Sequence, residues 1–228
     1  MGFAGRNNIL ILCFVLVLAV ISSTAQTFTC SSGGACKSMV GYVSPNTTTL
    51  DGIKTFFGVK NLRSILGANN LPLSTLPNTK VFASQTIKIP FNCLCTNGTG
   101  ISNGWPIYTV IPDDGLFHIA SEVFAGLVTV KQIQAVNKIE NANVITVGQE
   151  LQIPLPCSCD EVDGEKVVHY GLVVAAGSTV EGIAQQYNTT QDTLLRLNKL
   201  ASPNDLIAGV ALDVPLKGGA FWKLSNLP

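Results

Sequence analysis

The chain has 228 residues, 46% of them hydrophobic and only 12% charged, with 14 basic and 14 acidic side chains. Without net charge or a basic run, it is poorly matched to nucleic acid or an anionic lipid surface. Its seven cysteines are the feature of composition that calls for an explanation.

Arg6 precedes an uncharged apolar run from Ile9 to Ile21 and the small residues Ser23-Thr24-Ala25. That is the pattern of a secretory signal, residues 1–25, cleaved after Ala25. The run is shorter than the roughly 20 residues a membrane-spanning helix needs. Cys13 departs with the signal, leaving 13 basic against 14 acidic residues. No hydrophobic tail of the kind a lipid-anchor signal requires follows, so the expected product is secreted, extracellular or at the cell surface, with no anchor signal in this chain. The sequons at Asn46, Asn97 and Asn188 are consistent with export and are expected glycosylation sites on the surface.

Six cysteines remain: Cys30, Cys36, Cys93, Cys95, Cys157 and Cys159. An even number in an oxidising compartment reads as three disulfides. Of the possible pairings, those that close a Cys-x-Cys on itself are strained, and the others stay open on this evidence of spacing. Zinc is disfavoured, because structural zinc sites use cysteines two to four residues apart and export disfavours thiolates; no metal or cofactor is expected.

Three segments align along the chain: TTLDGIKTFF from Thr48, DGLFHIASEVF from Asp114 and STVEGIAQQY from Ser178. Each starts with a residue type suited to a helix N-cap and continues with apolar residues at helical spacing. Thr48 with Asp51 and Ser178 with Glu181 have capping-box spacing, and Asp114 is first of all an N-cap. A second helical pattern follows in each copy and closes on Asn70, Asn137 and Asn198, where an asparagine can take the left-handed conformation. Then come the alternating runs VFASQTIKIP, ITVGQELQIP and LIAGVALDVP, strands predicted to stop at Pro90, Pro154 and Pro215. Candidate strands GYVS, IYTVI and YGLVV precede the helices. The order strand, helix, helix, strand thus occurs three times, with the Cys-x-Cys pairs predicted in the linkers. A copy of this size is marginal for a core of its own, which gives cross-links between copies a structural task.

Three such copies separated by CLC and CSC, with CSSGGAC ahead of the first, resemble the LysM domain family, and within it the plant receptors and receptor-like proteins that bind chitin. The resemblance covers about residues 28 to 217. It implies an α+β fold of three tandem βααβ LysM modules packed together by disulfides. The segments are 26–92, with the N-terminal stretch and first module, 93–156, 157–217 and a divergent tail, 218–228. It also implies the pairing Cys30 to Cys95, Cys36 to Cys159 and Cys93 to Cys157.

The resemblance further implies a shallow groove for N-acetylglucosamine polymers in the second module. One side would be Pro112, Asp113, Asp114, Gly115 and Leu116; the other, Asn141, Ala142, Asn143, Val144 and Ile145. Loop backbone would meet the sugar amides and hydroxyls, with Leu116, Val144 and Ile145 as an apolar floor for acetyl methyls. Asp114, Ile145, Pro112 and Asn141 to Asn143 also have purely structural readings as cap, core, turn and solvated loop. Copies one and three, with a sequon at Asn46 and with Ala175-Ala176-Gly177 in the corresponding loop, look structural.

The implied function is a non-enzymatic sensor of chitin oligosaccharides in plant innate immunity. Its partners would be a LysM receptor kinase as co-receptor and a second copy of itself on long ligands. A soluble decoy and a peptidoglycan sensor are the alternatives. The only histidines are His118 and His169, and neither Gly-x-Ser-x-Gly nor His-Glu-x-x-His occurs. Asp113, Asp114 and Glu122 are the carboxylates a glycosidase would have to use, in a region already committed to a cap and a short helix.

Overall fold

The computed structural model describes residues 27–104 and 106–217; the signal 1–25 and the tail 218–228 lie outside the described residues. The fold is α+β. β1 (Gly34–Val43) leads through the two-residue β2 (Thr48–Thr49) into helices α1 (Leu50–Phe56) and α2 (Leu62–Ala68), then β3 (Lys80–Val81) and β4 (Thr86–Thr96). β5 (Thr99–Ser102) and β6 (Ile107–Thr109) precede α3 (Leu116–His118), which continues as a π-turn over Ile119–Val123, then α4 (Val130–Asn137) and β7 (Glu150–Gln152). β8 (Val168–Val173), α5 (Val180–Gln186), α6 (Gln191–Leu197), a 3-10 turn at Pro203–Asp205 and β9 (Ala211–Leu216) complete it. Among the described residues no helix is long and apolar enough to cross a membrane.

One sheet, of order β5-β4-β1-β8-β9, joins strands of the first and third stretches and takes in β5 from the start of the second, whereas β6 and β7 of the second pair only with each other. β1 is antiparallel to β4 from Gly34↔Cys95 to Val43↔Thr86, and meets β8 in parallel at Met39↔Tyr170 and Val40↔Gly171. Asn97 and Gly98, both at positive φ, make the two-residue turn between β4 and β5. One apolar core runs through the first two stretches, from Ile53, Phe57 and Ile89 to Ile119, Phe124 and Leu151. A second surrounds Tyr170, Leu194 and Val214, with Met39 and Ala68 of the first stretch inserted into it.

Several sequence expectations are corrected. The side-chain caps of α1 and α5 are Thr49 and Thr179, which accept from the Gly52 and Gly182 amides at 3.0 Å, one residue beyond the expected Thr48 and Ser178. The left-handed residues after the second helices are Asn70, Lys138 and Lys199; Asn137 and Asn198 are not among them. Asn69, Asn137 and Asn198 instead bridge helix to strand. Each amide nitrogen donates to the carbonyl four residues back and to a strand carbonyl, of Lys88, Gln152 and Asp213, while the amide of that same strand residue donates to the asparagine oxygen.

β4 does not stop at Pro90 but continues through Cys93 and Cys95, so the first Cys-x-Cys lies in a strand, not a linker. β5 flanks β4 only from Cys93 to Thr96, leaving Pro90 at a locally free edge; Pro215 lies within β9, the last strand of the sheet. Edge positions tolerate proline because its missing N–H breaks no ladder bond there. The second aligned copy is one residue longer than the others between its first apolar residue and its closing aromatic. The π-turn absorbs that residue, and Phe124 still enters the core as Phe57 does.

The six cysteines meet at one end of the sheet. Disulfides join Cys30 to Cys95, Cys36 to Cys159 and Cys93 to Cys157, with Cα separations of 5.5, 5.7 and 5.8 Å. Gly100 lies so close to the Cys157 carbonyl that a Cβ there would collide with it. Below this junction His169 and Asp213 form a buried pair, with Nδ1 2.9 Å from both carboxylate oxygens. Nε2 donates to the Asp160 carbonyl at 2.8 Å. Burial opposes a charge on His169, but the Asp213 carboxylate and its hydrogen bonds outweigh that, and the imidazole is held above its usual range.

Candidate functional site

β6 and β7 pair antiparallel from Ile107↔Gln152 to Thr109↔Glu150, so the loop leaving β6 and the loop entering β7 emerge at the same end of this small sheet. Val110 prolongs the pairing, donating to the Gln149 carbonyl at 2.9 Å and accepting from the Gly148 amide at 2.8 Å. Residues 112–115 and 141–145 occupy those two loops, and Leu116 opens α3.

Asp114 organises the first loop. Its Oδ2 accepts from the Tyr108 hydroxyl at 2.8 Å and the Ile111 amide at 2.9 Å, and its Oδ1 lies 2.8 Å from His118 Nδ1. Burial alone would raise its pKa; the Ile111 amide, the Tyr108 hydroxyl and His118 prevail and lower it. Burial and the same hydrogen bond raise the Tyr108 phenol, which therefore stays a donor. Asp114 is thus a loop anchor and not the helix cap expected. The N-cap position belongs to Gly115, which has no side chain to accept from the helix. Tyr108 carries the anchor into an aromatic cluster with Phe56 and Phe124, centroids 6.4 and 6.0 Å away.

Pro112 and Asp113 are exposed, Asp113 at φ +68°, and Gly115 is half-buried. Leu116 is only 2% exposed and belongs to the core, so it cannot form a floor for ligand. In the second loop the Asn141 side chain accepts from the Asn143 amide and its carbonyl from the Val144 amide, both at 3.0 Å. Asn141 and Asn143 are exposed; Ala142 and Ile145 are half-buried and packed on the core. Val144 is 63% exposed.

Three exposed apolar residues beside these loops escaped the sequence reading: Ile111, Phe117 and Val147. Phe117 was legible, since at helical spacing Leu116, Ile119 and Ala120 define the buried face and Phe117 falls off it. Ile111 and Val147 flank the Val110 pairing with Gly148 and Gln149, at the end of the small sheet from which both loops leave.

The three stretches differ at this end. In the first, the corresponding loops are zipped together by the pairs Thr48↔Val81 and Thr49↔Lys80. The Leu50 and Asp51 amides also donate across, to the Thr79 and Pro77 carbonyls at 3.0 and 2.9 Å. In the third, Thr179 caps the helix, and the turn at Gly209 packs against Gly126 of the second stretch. In the second, among the described residues, no backbone hydrogen bond joins residues 112–116 to 141–145, and the Leu116 and Phe117 amides have no acceptor; the third is alike in both respects, at its two loops and at the Val180 and Glu181 amides.

The LysM domain family matches residues 108–154 and 172–215. The chain is 50% identical over 201 residues to LysM domain-containing GPI-anchored protein 2 of Arabidopsis thaliana, spanning 88% of this chain and 57% of that protein. It is 45% identical over 196 residues to the chitin elicitor-binding protein of Oryza sativa subsp. japonica, spanning 85% and 55% respectively. The chain therefore covers little more than half the length of these curated relatives. Two solved structures share the fold: the ectodomain of a receptor like kinase, at 21% identity with a TM-score of 0.66 over 82% of this chain and 94% of that one, and the LYK3 ectodomain, at 20% with 0.65 over 82% and 92%.

Proposed function

Because the chain belongs to the LysM-domain proteins, we propose that it is an extracellular, non-enzymatic sensor of chitin oligosaccharides, with the sugar lying across the two loops of its second stretch. In this reading residues 26–92, 93–156 and 157–217 are three LysM modules of strand, helix, helix, strand, of which the middle one binds.

The observation that carries the proposal is the coincidence, at the open end of the second stretch, of two backbone amides without an acceptor, at Leu116 and Phe117, with four exposed apolar residues; the third stretch has equivalent amides at Val180 and Glu181, but Ile207 is its one large exposed apolar residue among the described residues. Chitin is uncharged; its carbonyls and hydroxyls need donors of this kind, and its acetyl methyls need apolar surface. Ile111, Phe117, Val144 and Val147 supply that surface, with each buried methyl worth on the order of 0.8 kcal/mol. Asp114, ionised and held by three donors, is poorly suited to giving up a proton, which disfavours glycoside hydrolysis.

A single shallow site binds weakly, and a polymer long enough to span two copies gains by effective concentration. Pairing on ligand and a LysM receptor kinase as co-receptor follow as the proposed route to a signal. The relative named for binding a chitin elicitor favours this over peptidoglycan sensing or a decoy role. Titration calorimetry with chitin octamer, on the parent and on Val144→Asp, tests the proposal. Binding by the parent and at least about tenfold weaker binding by the variant are expected; no heat with either defeats it, and equal binding moves the site elsewhere.

A further inference from the structure

The first stretch exposes three large apolar residues of its own: Leu73 (56%), Leu76 (63%) and Phe82 (61%). Phe82 follows Val81, the residue paired with Thr48, and Thr48 completes the sequon Asn46-Thr47-Thr48. The two segments are bound on either side of Asn46 as well: Ser84 N donates to the Ser44 carbonyl at 2.7 Å and Ala83 N to Thr47 Oγ1 at 3.3 Å. Asn46 is exposed, and among the described residues its side chain has no hydrogen-bond partner. The loop that carries Asn46 is thus held against the segment that carries Phe82.

We infer that the Asn46-linked glycan folds back over this segment, its first two sugars packed against Phe82. Asparagine-linked glycans begin with two β1,4-linked N-acetylglucosamines, the same disaccharide that repeats in chitin. The first stretch would then carry its sugar permanently and in cis, on loops zipped shut beneath it, and free oligosaccharide would be left to the open loops of the second. The inference takes from the proposed function only the kinship of the two ligands. Asn97, on the tight turn between β4 and β5, and Asn188, after α5, are exposed sequons with no large exposed apolar residue among their neighbours in the chain, and they serve as internal references.

The test is digestion of the folded protein, carrying uniform high-mannose glycans, with an endoglycosidase that cuts between the two core sugars, followed by glycopeptide mass spectrometry. Asn46 should be trimmed about tenfold more slowly than Asn97, Asn188 and an added unrelated glycoprotein, and Phe82→Ser should abolish the difference. An unmodified Asn46, trimming at the rate of the references, or slow trimming that survives Phe82→Ser overturns the inference. Protection that arises only when a second protein is added assigns this segment to that protein and likewise overturns it. No free chitin enters the assay, so its outcome is separate from that of the calorimetry.

Discussion

Asn198 and Asp213 exchange two hydrogen bonds, from Asn198 Nδ2 to the Asp213 carbonyl at 2.9 Å and from the Asp213 amide to Asn198 Oδ1 at 2.7 Å. Asn137 with Gln152 and Asn69 with Lys88 repeat the arrangement. In each stretch one side-chain amide thus takes the place of a neighbouring strand and fastens the second helix to the last strand.

Asn198 is the most deeply buried of the three, and its loss leaves a buried amide and carbonyl unpaired. Asn198→Leu should lower the unfolding free energy by about 3 kcal/mol, at about 1–3 kcal/mol for each group. Urea titration of the oxidised protein measures this, and a loss below about 1 kcal/mol would show that the bridge contributes little.

Asp114 has a folded pKa below its unfolded value. Its contribution to stability is therefore present above the unfolded pKa, near 3.8, and is lost as pH falls through the folded pKa. Melting temperatures measured down into that acid range should fall more steeply for the parent than for Asp114→Asn, whose plateau at neutral pH should already be lower.

His169 has the opposite sign. Its folded pKa is raised above 6.5, so the stability it contributes is complete below 6.5 and declines as pH rises through the folded value. Replacing His169 by Gln should lower stability at acidic pH and remove the decline on the alkaline side of 6.5; thermal melts across that window decide it.

The Cys36–Cys159 bridge closes the longest stretch of chain, with a sequence separation of 123. Converting both cysteines to serine should cost about 4 kcal/mol, chiefly by enlarging the unfolded ensemble. The comparison to make is denaturant midpoints of parent and double variant, both otherwise oxidised.

The threefold order of elements was legible in the sequence because helical and strand periods switch in the same order three times. Its register was harder to read. Neighbouring Asn69 and Asn70 both fit a helix end, and only the structure separates the residue that turns the backbone from the one whose side chain bridges to β4. Pro90 resembled a stop because a sequence does not reveal which side of a strand lacks a neighbour. Residues 112–116 and 141–145 came from the family resemblance, and they lie at the same end of the small sheet of β6 and β7. Leu116 and Phe117 are equally apolar, and it is helical spacing from Ile119 and Ala120 that puts the first on the buried face and the second off it, at 2% against 75% exposure. The difference between zipped and open loops lies in backbone hydrogen bonds, which leave no mark on residue identity.

The central claim is that sugar binds at the open loops of the second stretch, and amide hydrogen exchange with and without saturating chitin hexamer tests it most directly. Protection at Leu116 and Phe117 and across residues 141–146, with residues 46–51 and 176–181 unchanged, is the expected result. Protection confined to the first or third stretch, or none anywhere at saturation, would contradict it.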